Sequence, residues 1–327
     1  MIPAFSVIFL TTASGIGYGL LAWLGIFTAA GRLPLAPWFG PAAALLGLAL
    51  AAAGLLASML HLGRPERAWR SVSQWRSSWL SREGVLALFT NLPALAFAAS
   101  WAFSGMHTDL TIALGLFAGL CGLLTVASQA MIYATLKPVR QWHNGFVLPN
   151  LLLLSLFSGA VWLAALSALW IGGTARAAAI AGVVFGAAAV LMKLAYWRRI
   201  DTGRPVATIE SATGLGSIGP VRMLEAAHTE ENFLLREMGY AIARKHASRL
   251  RAIALVTAFA IPLALLLAGI FLRDPVSPAL YCAAALLVLL GIYIERWLFF
   301  AEATHTVTLY YGRPDTRPAR AEAAARV

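Results

Sequence analysis

Charge is scarce in this chain. Asp, Glu, Lys and Arg make up 12% of its 327 residues, about half the roughly 25% of a soluble globular domain. Hydrophobic residues fill 60%, so water is not the solvent for most of the surface. Cysteine is scarcer still: Cys121 and Cys282 both sit in apolar runs, where a thiol behaves as a small hydrophobe. They match no zinc, iron–sulfur or disulfide spacing. The histidines, His61, His107, His143, His228, His246 and His305, all fall in loops or near helix ends. A membrane haem needs paired axial ligands at similar depth on facing helices, so neither haem nor metal is expected here. No Walker loop, dinucleotide fingerprint or Ser/His/Asp order occurs in a polar portion large enough to hold one.

What the chain has instead is long apolar runs. Several reach the roughly 20 residues that a helix needs to cross about 30 Å of hydrocarbon. They predict an all-α integral membrane protein, a bundle of about eight transmembrane helices, with spans near 4–30, 38–60, 84–104, 109–136, 147–171, 175–197, 251–272 and 279–303. The run from Pro3 to Ala30 is too long and Gly-rich for a signal-peptide core and is read as a retained first span. Residues 1–311 form the membrane domain. It includes one long polar connection near 198–250, whose second part, Glu230 to Arg249, carries Phe233, Leu234, Met238 and Ile242 on one helical face and reads as an amphipathic helix on the membrane. The basic tail 312–327 is expected to be disordered.

The net charge of +11 does not indicate nucleic acid, since there is almost no soluble structure to build a basic groove. Its distribution explains it. The connections near 31–37, 104–108, 172–176 and 273–278 are nearly neutral, whereas the others carry Arg64 to Arg82, Lys137 and Arg140, a dense series from Lys193 to Arg251, and Arg313, Arg317 and Arg320. Lys and Arg resist translocation, so the basic face and both termini are expected in the cytoplasm of a bacterial inner membrane. Gly15/Gly19, Gly115/Gly119 and Gly182/Gly186 have the spacing that lets helix backbones approach closely.

The densest chemistry lies between the second and third spans. From His61 to Glu83 the chain carries five Arg, three Trp, two Glu and a His. Pro65 suits a first helical turn, and Trp69, Val72, Trp75 and Trp79 recur at helical spacing, which predicts a short interfacial helix. The plain reading is an aromatic belt with Arg64, Arg67, Arg76 and Arg82 snorkelling toward lipid phosphate, His61 favouring a helix C-terminus and Glu83 a helix N-terminus. The functional reading is a quinone head-group site, because quinol oxidation releases two protons with its two electrons and needs a base such as His61 or Glu83.

A second cluster, Lys137, Arg140, Gln141, Trp142 and His143, lies on the same face, where it completes that pocket, docks a partner or simply marks topology. Asn91, Thr125, Ser128, Gln129 and Glu295 are the polar exceptions inside spans and candidate pathway residues.

These blocks resemble the DmsC family, the membrane-anchor subunits of dimethyl-sulfoxide-reductase-type molybdoenzymes. The similarity is carried by Pro3-Ala-Phe-Ser-Val-Ile-Phe with Thr11-Thr12, by His61 to Glu83, by Lys137 to Asn144 and by Thr229 to His246. It implies a subunit non-catalytic toward the terminal substrate, docked to a four-cluster iron–sulfur subunit that in turn contacts a molybdopterin catalytic subunit. It also implies exchange with menaquinone or ubiquinone, with the family's quinol-site His and acidic residue falling on His61 and Glu83. Such anchors serve anaerobic respiration with menaquinol as donor, or sulfite oxidation in the opposite direction. The Trp75-to-Glu83 stretch is more similar to the sulfite-dehydrogenase anchors. Two rivals remain at this point: a secondary transporter, for which no half-to-half repeat is visible, and an anchor with no quinone site.

Overall fold

The computed structural model describes residues 3–34, 36–105, 107–170, 175–203, 205, 207–225, 232, 234, 238, 246–272 and 276–311, with His61 described by its backbone only. Eight helices are long and apolar enough to cross a membrane. They are α1 (Phe5–Ala29), α2 (Phe39–Ser58), α3 (Trp79–Ser104), α4 (Asp109–Ala134), α5 (Val147–Trp170), α6 (Ala175–Thr202), α7 (Ala247–Phe271) and α8 (Val276–Ala301). The expected bundle is therefore the observed one. The largest shifts are at three edges: α3 begins at Trp79 rather than at 84, α6 runs to Thr202 rather than to 197, and α7 begins at Ala247 rather than at 251. The expected amphipathic helix over Glu230 to Arg249 falls mostly outside the described residues, and the tail 312–327 wholly so.

Local chemistry accounts for the helix ends. The Ser78 hydroxyl accepts the Ser81 N–H at 3.4 Å, and the Thr108 hydroxyl accepts the Thr111 N–H at 3.2 Å, each satisfying an orphan donor of the first turn. Asp109 adds a negative charge to the start of α4, where the macrodipole favours it. α3 stops at Gly105, whose φ of 85° suits a residue without Cβ. In α7 a π-helical turn at Val256–Ala260 precedes Pro262; proline has no N–H to give the preceding turn, and the ladder widens around it.

Helices α1 to α4 pack as one group and α5 to α8 as a second, joined mainly where α1 lies on α5 and α8 and where α4 lies on α5. Lipid tails are as apolar as Leu, so helices associate in a membrane through close packing and hydrogen bonds. Both operate at the α1/α5 seam. Gly19 lies directly against the Ser155 carbonyl, and Gly159 against the Gly19 backbone. Ser155 donates to the Gly15 carbonyl at 2.6 Å, and the Trp23 indole donates to the Leu156 carbonyl at 2.7 Å. The α1/α4 contact uses Gly119, whose missing Cβ would stand 2.8 Å from the Ala22 Cα. Gly15 differs from the other predicted pair members, since a Cβ there would meet nothing within 4 Å.

Gly19→Ala is therefore expected to destabilise the bundle by about 1–3 kcal/mol or more through overpacking. Gly15→Ala should be neutral or stabilising by up to about 1 kcal/mol through helix propensity. Thermal unfolding of both variants in mild detergent checks the contrast.

Candidate functional site

Glu83 is the fifth residue of α3, one turn inside the helix, and is 4% exposed. It does not sit at the helix N-terminus, because Ser78 caps the helix before Trp79. Its Oε1 accepts a hydrogen bond from Gln129 Nε2 of α4 at 2.7 Å, and Gln129 Nε2 also reaches Ser14 Oγ of α1 at 3.4 Å. Among the described residues no cation lies within ion-pair distance of Glu83. Thus α3, α4 and α1 together hold one carboxyl group on a side-chain amide near the basic end of the bundle.

The segment that leads into α3 folds over this point. A 3₁₀ helix spans Pro65–Val72, and Val72 packs 3.3 Å from where a Cβ on Gly84 would stand. The predicted interfacial helix is thus shorter than its spacing suggested: Trp75 lies in the turns that follow, and Trp79 opens α3. Arg82 ties these turns down. It donates to the Trp75 carbonyl at 3.0 Å and the Arg76 carbonyl at 2.7 Å, with its guanidinium 4.2 Å from the Trp79 ring centroid. Arg82 and Trp79 are half-buried, whereas Arg64, Arg67, Trp75 and Arg76 are exposed and form a cationic, aromatic surface. The His61 side chain lies outside the described residues, so its relation to Glu83 is not part of this geometry.

The second predicted cluster divides. Lys137 and His143 are exposed, and Arg140 donates to the Gly203 carbonyl at 2.6 Å. Gln141 and Trp142 are buried and committed internally. Gln141 bonds Thr304 at 2.8 Å, and the Trp142 indole donates to the Phe299 carbonyl at 3.0 Å while its ring packs against Tyr133, Phe299 and Phe300. These two side chains fasten the α4–α5 connection to the end of α8 rather than facing a ligand. The same junction pairs Val139 with His305 in an isolated antiparallel bridge. Burial pushes the His305 imidazole below its ordinary range, and its Nδ1 accepts the Val307 N–H at 3.0 Å.

The largest departure from the sequence reading is a buried ion network. Lys193 does not belong with the basic connection: it lies inside α6, 1% exposed, and pairs with Glu295 of α8. Glu295 is fully buried and also accepts Arg296 Nε at 2.6 Å. The Lys193 ammonium stands 4.4 Å from the Tyr196 ring centroid and 5.1 Å from that of Trp197. On the far side of Trp197, Arg251 bonds Glu302 at 2.7 Å and both oxygens of the half-exposed Asp201 at 2.6 and 3.0 Å. Lys193, Arg296 and Arg251 thus match Glu295, Glu302 and Asp201 in charge. One sequence signal could have found the pair: Lys193 and Glu295 occupy predicted spans at comparable distances from the basic end.

Breaking a buried pair costs more than the pair itself contributes, because an uncompensated charge is left behind. Glu295→Gln strands two cations and is expected to lower stability by about 3–5 kcal/mol. Glu66→Gln, in an exposed pair 3.9 Å from Arg67, should change it by less than about 1 kcal/mol. Detergent-phase melting of the two variants measures the difference.

Among known proteins, the chain is 34% identical over 329 residues to a polypeptide of the sulfite dehydrogenase of Allochromatium vinosum, covering 95% of this chain and 99% of that protein. The family described as DMSO reductase anchor subunit (DmsC) matches residues 3–312. An eight-span bundle, a polar site confined to one end and a family match over nearly its whole length agree: the chain belongs to the DMSO reductase anchor subunit (DmsC) family.

Proposed function

We propose that this chain is the quinone-reactive anchor of a molybdopterin/iron–sulfur oxidoreductase, and that sulfite is the terminal substrate of the assembled complex. The observation that carries this reading is Glu83: a carboxyl buried near the basic end, bonded to Gln129 and lying beneath an exposed Arg/Trp surface. Likeness to a polypeptide of a sulfite dehydrogenase supports the choice of substrate.

The residues present fit a quinone docked at the boundary of the bundle rather than deep within it. Two small cavities of about 20 and 10 Å³, one beside Arg140 and His305 and one beside Gln129 and Arg296, suit single waters rather than a ring. The connection from α2 to α3 exposes Leu60, Leu62, Trp75 and Arg76, and Leu80 is exposed in the first turn of α3, offering apolar surface for a ring and donors for its oxygens. Quinone reduction takes up two protons with two electrons. Glu83 holds or releases a proton at its carboxyl, Gln129 fixes the orientation of that group, and the close packing of α3, α4 and α1 keeps bulk water away. A positioned acid or base of this kind contributes about 10²–10⁴-fold.

By the positive-inside rule the basic end faces the cytoplasm. The exposed Arg64, Arg67 and Arg76 then lie where an iron–sulfur subunit would dock, close enough to the quinone that no haem is needed to carry electrons across the membrane. A transporter site would lie near the bilayer midplane, whereas the buried charged groups here, Glu83, Lys193, Glu295, Arg296 and Glu302, gather toward the basic end.

In vesicles carrying the assembled complex, Glu83→Gln is expected to lower sulfite-to-quinone turnover about 100-fold. Sulfite oxidation by a soluble artificial acceptor, which takes electrons before they reach this chain, should be unchanged. Wild-type quinone-linked turnover in a normally assembled variant would overturn the proposal.

A further inference from the structure

Between α1, α4, α5 and α8 lies a cavity of about 10 Å³, lined among others by Thr12, Gln129, Ser155, Ser158 and Arg296, with room for roughly one water molecule. Two of its lining groups are buried polar atoms without a partner: Thr12 Oγ1, on a residue 1% exposed, and Arg296 Nη2, on a residue 2% exposed. Leaving such groups unbonded costs about 1–3 kcal/mol each, and a bound water satisfies both. The cavity has polar neighbours on each side. Gln129 is the residue that bonds Glu83, and Arg296 is the residue that bonds Glu295.

The ion network continues the line outward. Glu295 pairs with Lys193; Lys193 and Arg251 both stack on Trp197; Arg251 bonds Glu302 and Asp201. Glu302 keeps its second oxygen, Oε2, buried and unbonded, and the Asp201 side chain is 40% exposed. All of these groups lie toward the basic end. The arrangement therefore runs across the bundle and does not pass through it.

We infer that this is a lateral, water-assisted proton route joining Glu83 to bulk water at the Asp201/Arg251 exit. The inference rests on the quinone reading of Glu83. Gln129 carries no proton itself; turning its amide away from Glu83 opens the carboxyl to the cavity water. Arg296 stays charged throughout. It orients the water with Nη2 and holds the Glu295 carboxylate as an acceptor, and Glu302 is the next acceptor toward the exit. For each quinone reduced with two electrons from the docked redox partner, two protons enter at the exit. Lys193, Trp197 and Arg251 lie between Glu302 and Glu295, and no direct hydrogen bond joins the two carboxyls among the described residues. Each proton crosses there by way of a second bound water at Glu302 Oε2, and every side chain ends as it began.

Thr12→Val tests this with little risk to the fold, because the hydroxyl it removes bonds nothing in the chain and a purely structural cavity would tolerate the change. Three measurements on the assembled complex are needed. The first is radiolytic labelling of the resting complex in isotope-labelled water, where modification of Leu154 and Ile292 reports cavity water. The second is turnover with sulfite and decylubiquinone, expected to fall about tenfold in the variant with KM unchanged. The third is the heavy-water isotope effect on that turnover, expected to rise. An unlabelled cavity in the wild-type complex, or wild-type turnover and isotope effect in Thr12→Val, overturns the route. Glu83→Gln separates the two ideas. If it abolishes quinone-linked turnover while Thr12→Val does not, only the route falls; if it changes nothing, the quinone site and the route fall together.

Discussion

Lys193, Glu295 and Arg296 can occupy the interior of this bundle only because their charges answer one another. Hydrocarbon supplies no hydrogen bonds and no dielectric relief, so an unanswered charge there costs several kcal/mol. The bundle meets this constraint by joining three helix ends. Lys193 on α6 meets Glu295 on α8, Arg296 shares the same carboxylate, and Arg251 at the start of α7 ties Glu302 to Asp201. The second group of helices is therefore locked at its basic end by charge. At its other end no ion pair is seen among the described residues, and packing rests on shape, as where Gly269 receives the Tyr281 ring.

The first group solves the same problem with fewer charges. Its buried polar groups are mostly hydroxyls that bond their own helix: Thr11 to Ile8, Ser14 to Leu10 and Thr28 to Leu24. Such bonds satisfy the side chain at little cost, but they give no attraction between helices. Association there falls instead to Gly19, Gly25, Gly119 and Gly159, where backbones touch. Hydroxyl pairs also join α3 to α4, Thr90 with Thr125 and Ser100 with Thr111. Glu83 differs from them in being ionisable: it bonds Gln129 on α4, and among the described residues no opposite charge lies within ion-pair distance. Such a group, in a bundle that pairs its other buried charges, is where proton chemistry is least costly to place.

How much of this could be read from sequence follows from the same solvent argument. The eight spans were legible because a bilayer forces long apolar runs, a pattern visible in one dimension. The edges moved where charge interrupted that pattern: Arg82 and Glu83 concealed the first turn of α3, and Arg198, Arg199 and Asp201 concealed the last turn of α6. Which face of each helix meets its neighbours was not legible, since helices apolar all round carry no amphipathic stripe to read. That is why Gly15 and Gly19, one helical turn apart in α1, turned out to have opposite surroundings. Glu83 stood out by its charged neighbours, but its bond to Gln129, 46 positions away, did not. Gln141 and Trp142 looked like surface groups because they sit in a basic loop, while the Thr304 and Phe299 that bury them are more than 150 positions on.

The contrast between the two groups of helices also bears on where a docked partner can act. The exposed Arg/Trp segment belongs to the first group, and its turns are fixed by Arg82 to the start of the helix that carries Glu83. Pressure from a partner on Trp75 or Arg76 is thereby transmitted to the base of α3 through two hydrogen bonds and a stacked ring. The ion-locked group lies on the other side of the α1/α5 seam and turns the charges of its network inward, but Arg198 and Arg199 at the end of α6 and Arg249 at the start of α7 are exposed there, so both groups offer positive charge at the basic end.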